Sequence, residues 1–81
     1  MKVQAQFFAQ LRDVAGVSEE TVELPDGATT ADLLAKIYER VPALRRWDRN
    51  ILLGAGVEFV DRKYALQPDD TIAIMPPVQG G

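Results

Sequence analysis

Thr29-Thr30-Ala31-Asp32-Leu33-Leu34-Ala35-Lys36-Ile37-Tyr38-Glu39-Arg40-Val41-Pro42 is the stretch on which the fold turns. Thr29 stands three residues before Asp32, the spacing of a capping box, in which each side chain satisfies a backbone N–H that the first helical turn leaves orphaned. Leu33, Leu34, Ile37 and Val41 fall at offsets of one, four and eight from the first and make one apolar stripe of an amphipathic helix. Pro42 ends it, because proline cannot continue the hydrogen-bond ladder and restrains the residue before it. This is the one main helix that the sequence offers.

The flanking segments read as strands. Upstream, Val3, Ala5, Phe7 and Ala9 alternate with Gln4, Gln6, Phe8 and Gln10, the period of a half-buried strand. Leu11 to Ala15 can form a helical turn, broken by Gly16. Thr21-Val22-Glu23-Leu24 alternates again and stops at Pro25-Asp26-Gly27, a turn signal, so the first two strands read as a hairpin with a long connection. Downstream of the helix, Leu44 and Trp47 are expected to cover the open edge of the core. Ile51-Leu52-Leu53 reads as a buried strand, and Gly54 and Gly56 around Ala55 suggest a tight turn or bulge. Val57 to Val60 makes a further short strand, Asp61-Arg62-Lys63 and Gln67-Pro68-Asp69-Asp70 read as turns, and Thr71 to Met75 is the last strand. One helix covering four or five strands is accommodated most compactly when the first and last strands lie side by side in the centre, parallel to one another. The expected fold is therefore α+β: a β-grasp, or ubiquitin-like, mixed sheet of four to five strands with one main helix across one face. Residues 1–75 form this domain, and 76–81 form a flexible tail.

Composition removes several functions. Eighty-one residues hold one small core, with little room for an enclosed active site. A net charge of -3 and a pI near 4.7 argue against nucleic acid, whose phosphates demand a basic patch. The one dense basic stretch, Arg45-Arg46 with Arg40 and Arg49, is interrupted by Pro42, Trp47 and Asp48. It reads as a solvated helix end, with docking of an acidic partner as the alternative. No apolar run approaches the roughly 18–20 residues of a membrane span, and Met1-Lys2-Val3-Gln4 lacks a signal-peptide core, so a cytoplasmic location is expected. The chain has no Cys and no His, which removes disulfides, thiolate nucleophiles, the usual zinc ligands and the commonest general base together.

After Met75 the sequence reads Pro76-Pro77-Val78-Gln79-Gly80-Gly81. The prolines lack the N–H that a sheet ladder needs and favour a stiff extended exit. Gly80 and Gly81 carry no side chain and have the greatest backbone freedom. Six residues at about 3.3 Å each reach roughly 20 Å, enough to enter a neighbouring protein's active site. A carboxylate on Gly81, once activated as a mixed anhydride with AMP, can accept sulfur to become a thiocarboxylate or accept an amine to become an amide. Neither outcome needs a His, a Cys or a metal in this chain.

Over essentially its whole length the chain resembles the small subunits of molybdopterin synthase, ubiquitin-like sulfur carriers of molybdenum cofactor biosynthesis. The matching pieces are Phe7-Phe8-Ala9-Gln10-Leu11-Arg12, Gly16, Thr29 to Leu34, Glu58-Phe59-Val60, Leu66 and Asp70. Most specific is the tail, which matches the family's P-P-V-x-G-G ending. Two turns depart from the family: Gly56 stands where Asn is frequent, and Pro68-Asp69-Asp70-Thr71 replaces D-G-D-E. The resemblance implies that a ubiquitin-activating-like adenylyltransferase uses ATP to adenylate Gly81 and that a sulfur donor system converts it to a thiocarboxylate. The tail then enters the large synthase subunit, which holds the pterin precursor and the catalytic side chains, in a heterotetramer. The chain itself binds no cofactor stably. A paralogous carrier of the thiamine or cysteine type and a ubiquitin-like protein modifier are the alternatives, and a non-covalent interaction domain with an idle tail is a third class.

The alternation also locates a docking surface. With Val3, Ala5 and Phe7 facing the helix, Phe8 points to the other side of the sheet. With Ile72 and Ile74 facing inward, Ala73 and Met75 point outward. In parallel neighbouring strands Phe8 and Met75 then share the end from which the tail leaves, and apolar side chains of this kind are favoured in interface cores. The expected partner-binding set is Phe8, Met75, Pro76, Pro77, Val78 and Gly80, with Gly81 as the reacting residue. Arg12, Glu58 and Asp70 receive structural readings only.

Overall fold

The computed structural model describes residues 1–77; Val78, Gln79, Gly80 and Gly81, on which part of the tail reading falls, lie outside them. Strands β1 (Lys2–Phe7) and β2 (Glu19–Glu23) are antiparallel and connected through a short helix, α1 (Gln10–Ala15). Helix α2 (Thr30–Arg40), a 3₁₀ helix (Pro42–Asn50), β3 (Leu52–Ala55), β4 (Glu58–Val60) and β5 (Thr71–Met75) follow. The described residues form one five-stranded sheet in the order β2-β1-β5-β3-β4. At its centre β1 and β5 run parallel, Gln4 opposite Thr71 and Phe7 opposite Ile74. β3 pairs antiparallel with β5 on one side and β4 on the other. This is the expected β-grasp arrangement.

Alternation along the strands puts Val3, Ala5 and Phe7, with Ile72 and Ile74 beside them, into one buried layer. Leu33, Leu34 and Ile37 of α2 close over that layer. The helix starts where the capping spacing places it: the Thr29 N–H and hydroxyl both donate to Asp32 Oδ2, at 2.8 and 3.2 Å. Thr30 is wholly buried, and its hydroxyl is satisfied by donating to the Asp61 carbonyl oxygen at 2.6 Å. Val41, expected on the buried stripe, is a half-buried C-cap whose N–H donates to the Ile37 carbonyl.

Two local expectations are corrected. Gly54 is not a turn or bulge; it lies inside β3, paired with Ala73 and Phe59, and the turn to β4 is made at Gly56, whose φ is +63°. The basic stretch after Pro42 is not the end of α2 but a separate 3₁₀ helix, held down by buried Leu44 and half-buried Trp47.

That 3₁₀ helix is fastened by a polar cluster. The Tyr38 hydroxyl donates to Asp48 Oδ1 at 2.6 Å, Arg62 Nη1 donates to the same oxygen at 2.7 Å, and Arg62 Nη2 donates to the Asp48 carbonyl. Arg62, then Tyr38, holds the Asp48 carboxyl below the usual carboxylate range. Burial, then Asp48, pushes the Tyr38 phenol above its ordinary value. The depressed Asp48 value contributes stability above the ordinary carboxylate pKa, lost as pH falls through the folded value; the raised Tyr38 value contributes stability below the ordinary phenol pKa, lost as pH rises. Tyr38→Phe is expected to cost about 1 kcal/mol and to lower the melting temperature by about 4–8 °C. It should also flatten the alkaline limb of the stability profile, as read by thermal melts across pH.

Candidate functional site: the open face of the sheet

The face of the sheet turned away from α2 divides into two halves. On the β2–β1 side, Gln4 and Thr21 exchange side-chain hydrogen bonds at 2.8 and 3.0 Å, and Gln6 donates to Glu19 at 3.2 Å. These polar groups satisfy one another across the strand pair. On the β5–β3–β4 side the register sets Ala73 opposite Gly54 and Gly54 opposite Phe59, and the surface is apolar.

Gly54 shapes that half. A Cβ there would lie 3.3 Å from Met75 Cε, closer than packed carbons ordinarily come, so the bare backbone lets the methionine lie across β3. Beside it is an open hollow of about 200 Å³ walled by Val57, Phe59, Ala73 and Met75. Phe59 is 73% exposed and Val57 fully exposed, an unusual placement for two large apolar side chains in so small a domain. Glu58 stands beside the hollow and is its charged neighbour.

Phe8 lies at the tail end of this face. Its N–H donates to the Ile74 carbonyl at 3.2 Å, which carries the β1–β5 ladder one residue past Phe7 and places Phe8 beside Met75. Phe8 is 43% exposed and Met75 is half-buried. At Ala9 the backbone turns away with φ 50° into α1. Strand pairing on the β5 side ends at Met75, opposite Leu52, and Pro76 and Pro77 follow half-buried at the root of the tail. Val78, Gly80 and Gly81 lie outside the described residues.

Phe59 and Val57 complete a surface that sequence reasoning began with Phe8 and Met75. The alternation over Val57 to Val60 does not say which side faces the core. No signal in the sequence gave the pairing of Gly54 with Phe59, which only the register of the folded sheet shows. The three charged residues of the resemblance act locally. Asp70 accepts from the Gln67 N–H at 2.8 Å and from the Tyr64 hydroxyl at 3.1 Å, which fixes the turn into β5. Arg12 is exposed beside Phe8, and Glu58 is exposed on β4. Among the described residues no group of His, Cys, Asp and Glu could hold a metal ion, and no helix is long and apolar enough to cross a membrane. Among the described residues the site is thus an apolar surface leading to the root of the tail, with Glu58 as its charged neighbour.

Comparison with known proteins gives this surface a context. A Chlamydomonas reinhardtii molybdopterin synthase sulfur carrier subunit is 43% identical, with 100% of both chains covered. The human molybdopterin synthase sulfur carrier subunit is 32% identical over 99% of this chain and 94% of its own. Among solved structures, SAMP1 of Haloferax volcanii, a small archaeal modifier protein, superimposes with a TM-score of 0.88 at 29% identity, covering 100% of both chains. Residues 5–81 match the model of the ThiS family. With nearly the whole chain matched and relatives this similar along their full length, the protein belongs to the ThiS family.

Proposed function

We propose that this chain is the sulfur carrier subunit of a molybdopterin synthase, with the Gly81 carboxylate as its working group. The observation that carries the reading is the apolar half-face formed by Gly54, Phe59, Ala73 and Met75, which reaches the root of the tail at Pro76 and Pro77, with exposed Phe8 bordering a separate hollow beside Gln6 and Arg12. A chain without Cys or His supports the same reading, because its role is to bring an acyl group to catalysts held by others.

A Gly81 carboxylate oxygen attacks the α-phosphorus of ATP in the activating enzyme, and pyrophosphate leaves. Sulfur at the oxidation level of sulfide then attacks the carbonyl carbon; AMP leaves and the thiocarboxylate remains. In the large subunit the thiocarboxylate sulfur attacks a carbon of the pterin precursor and displaces an oxygen substituent; water then hydrolyses the acyl–sulfur bond of the resulting thioester, leaving sulfur on the pterin and Gly81 as a carboxylate. The β-grasp body is a handle throughout. Incubation with ATP, an activating enzyme and a sulfur donor should replace one oxygen by sulfur on the intact chain, detected by mass spectrometry. A chain whose mass never changes under those conditions refutes the reading.

Phe8→Asp tests the surface. A charge there is desolvated when the partner docks, so affinity for the large subunit should fall by about tenfold to a hundredfold in calorimetry, with the melting temperature unchanged. Unchanged affinity would exclude Phe8 from the interface. A second reading, a protein modifier joined to lysines through the same activated Gly81, is favoured by the likeness to the Haloferax protein. It predicts adducts with other proteins in place of the sulfur-for-oxygen exchange.

A further inference from the structure

The 3₁₀ helix carries a charged surface that the tail chemistry does not use. Arg45, Arg46 and Arg49 are exposed along it, on a chain whose net charge is -3. In the sequence Asp48 interrupts this run, but in the fold its carboxylate is turned toward Tyr38 and Arg62. Its charge is matched chiefly by Arg62 and to a lesser degree by Arg45, which lies 5.7 Å over the Tyr38 ring, so Arg46 and Arg49 are the cations that it leaves unmatched. Arg40 is separately engaged, 3.1 Å from Glu20.

Next to the arginines, Ala43, Arg46, Trp47 and Asn50 face Val14 of α1 across a groove of about 430 Å³. Half-buried Trp47 and Val14 give it apolar walls, and Arg46 gives it a cationic rim. The groove lies on the helix side of the sheet, because Leu44 of the same 3₁₀ helix is buried in the core beneath α2. The hollow at Gly54 is on the other side.

The geometry points to a second docking site, for an acidic segment of a partner protein. An apolar side chain of that segment fits between Trp47 and Val14, while flanking carboxylates meet Arg46 and Arg49. Charge complementarity selects this occupant: a local cluster of cations on an acidic body attracts a short anionic segment and repels a second acidic surface at longer range. Three arginines release too few counterions to hold a nucleic acid against that background. Because the site is on the far side of the sheet, its occupation is independent of the tail reading.

Trp47 is the single tryptophan of the chain, so its emission reports directly on the groove. The full-length protein is titrated with a synthetic peptide of alternating glutamate and leucine, and with the same peptide carrying lysine for glutamate. The acidic peptide should shift Trp47 emission, with affinity falling about tenfold between about 50 and 200 mM salt. The lysine peptide should do nothing. Arg46→Glu with Arg49→Glu should weaken binding at least tenfold while the melting temperature holds, and Arg46→Gln with Arg49→Gln serves should the reversed pair fail to fold. Arg12→Glu, elsewhere on the surface, should leave binding intact, as should removal of Gly80 and Gly81, which separates this site from the tail. The proposal is overturned by equal binding of the lysine peptide, by normal binding of the arginine variants, or by an equal shift with single-stranded oligonucleotide or phosphatidylserine vesicles. Self-association in sedimentation that the Arg46 and Arg49 changes abolish would make the occupant a second copy and also overturn it.

Discussion

Extending the chain by one residue beyond Gly81, with no protease able to trim it, is expected to abolish sulfur loading and cofactor formation while leaving the fold untouched. The extension moves the terminal carboxylate about 3.3–3.6 Å from the position that Gly81 would occupy in a partner's active site. A misplacement of about 1 Å at a reacting centre costs roughly a hundredfold in rate, so a full residue should cost at least about 10³-fold. A side chain on the added residue also obstructs a passage suited to residues without Cβ. The melting temperature should not change, because the addition lies beyond the last strand at Met75 and beyond Pro76 and Pro77. Intact-mass analysis of the loaded carrier and assay of the product measure the two effects. A carrier that still gains sulfur and forms product at the parental rate would place the reacting atom elsewhere.

The second large effect is on stability. Ile74 is 1% exposed in the central strand β5, opposite Phe7 on one side and Leu53 on the other. Ile74→Ala removes three carbons from the middle of the core and should cost about 3–4 kcal/mol. A domain of this size has only about 4–12 kcal/mol in total, so the variant should lose a large share of its stability and melt at least about 12 °C lower. Urea denaturation followed by Trp47 fluorescence reads the change. The neighbouring Ala73 points to the open face, and Ala73→Ser should stay within about 0.5 kcal/mol of the parent. Equal effects at the two positions would contradict the inward and outward assignment along β5.

The contrast shows which parts of the molecule were legible in the sequence. Signals carried by adjacent residues read through to the structure. The Thr29–Asp32 cap, the Leu33-Leu34-Ile37 stripe and the alternations at Val3 to Phe7 and Thr71 to Met75 all stand where their spacing put them. Together with the need to cover one sheet with one main helix, they were sufficient for the parallel centre and the β-grasp topology. Signals that depend on a distant partner did not read through. Gly54 resembles a turn residue locally, and only the approach of Met75, from another strand, explains why it is a bare position inside β3. The 3₁₀ helix is fastened by Asp48 to Tyr38 and Arg62, residues 10 and 14 positions away, so within the stretch only Pro42 and the Leu44 and Trp47 anchors hint at it. In the candidate site, counting faces along β1 and β5 put Phe8 and Met75 on the side away from the core, and in the structure Phe8 is exposed and Met75 half-buried. Phe59 and Val57 were missed because the alternation over Val57 to Val60 puts both on one face without saying that this is the open one.

The parallel pairing of β1 with β5 has a mechanical consequence. Chain direction puts the start of β1 and the end of β5 at opposite poles of adjacent strands, joined by a ladder between Gln4–Phe7 and Thr71–Ile74. Tension applied between the first residue and the tail therefore runs along the strands and loads those hydrogen bonds in shear, all at once, rather than peeling them open singly. A protein pulled by its tail, whether by an enzyme drawing it inward or by an unfoldase, meets its strongest resistance along that line, and pulling from a side chain of α2 should unravel it under less force.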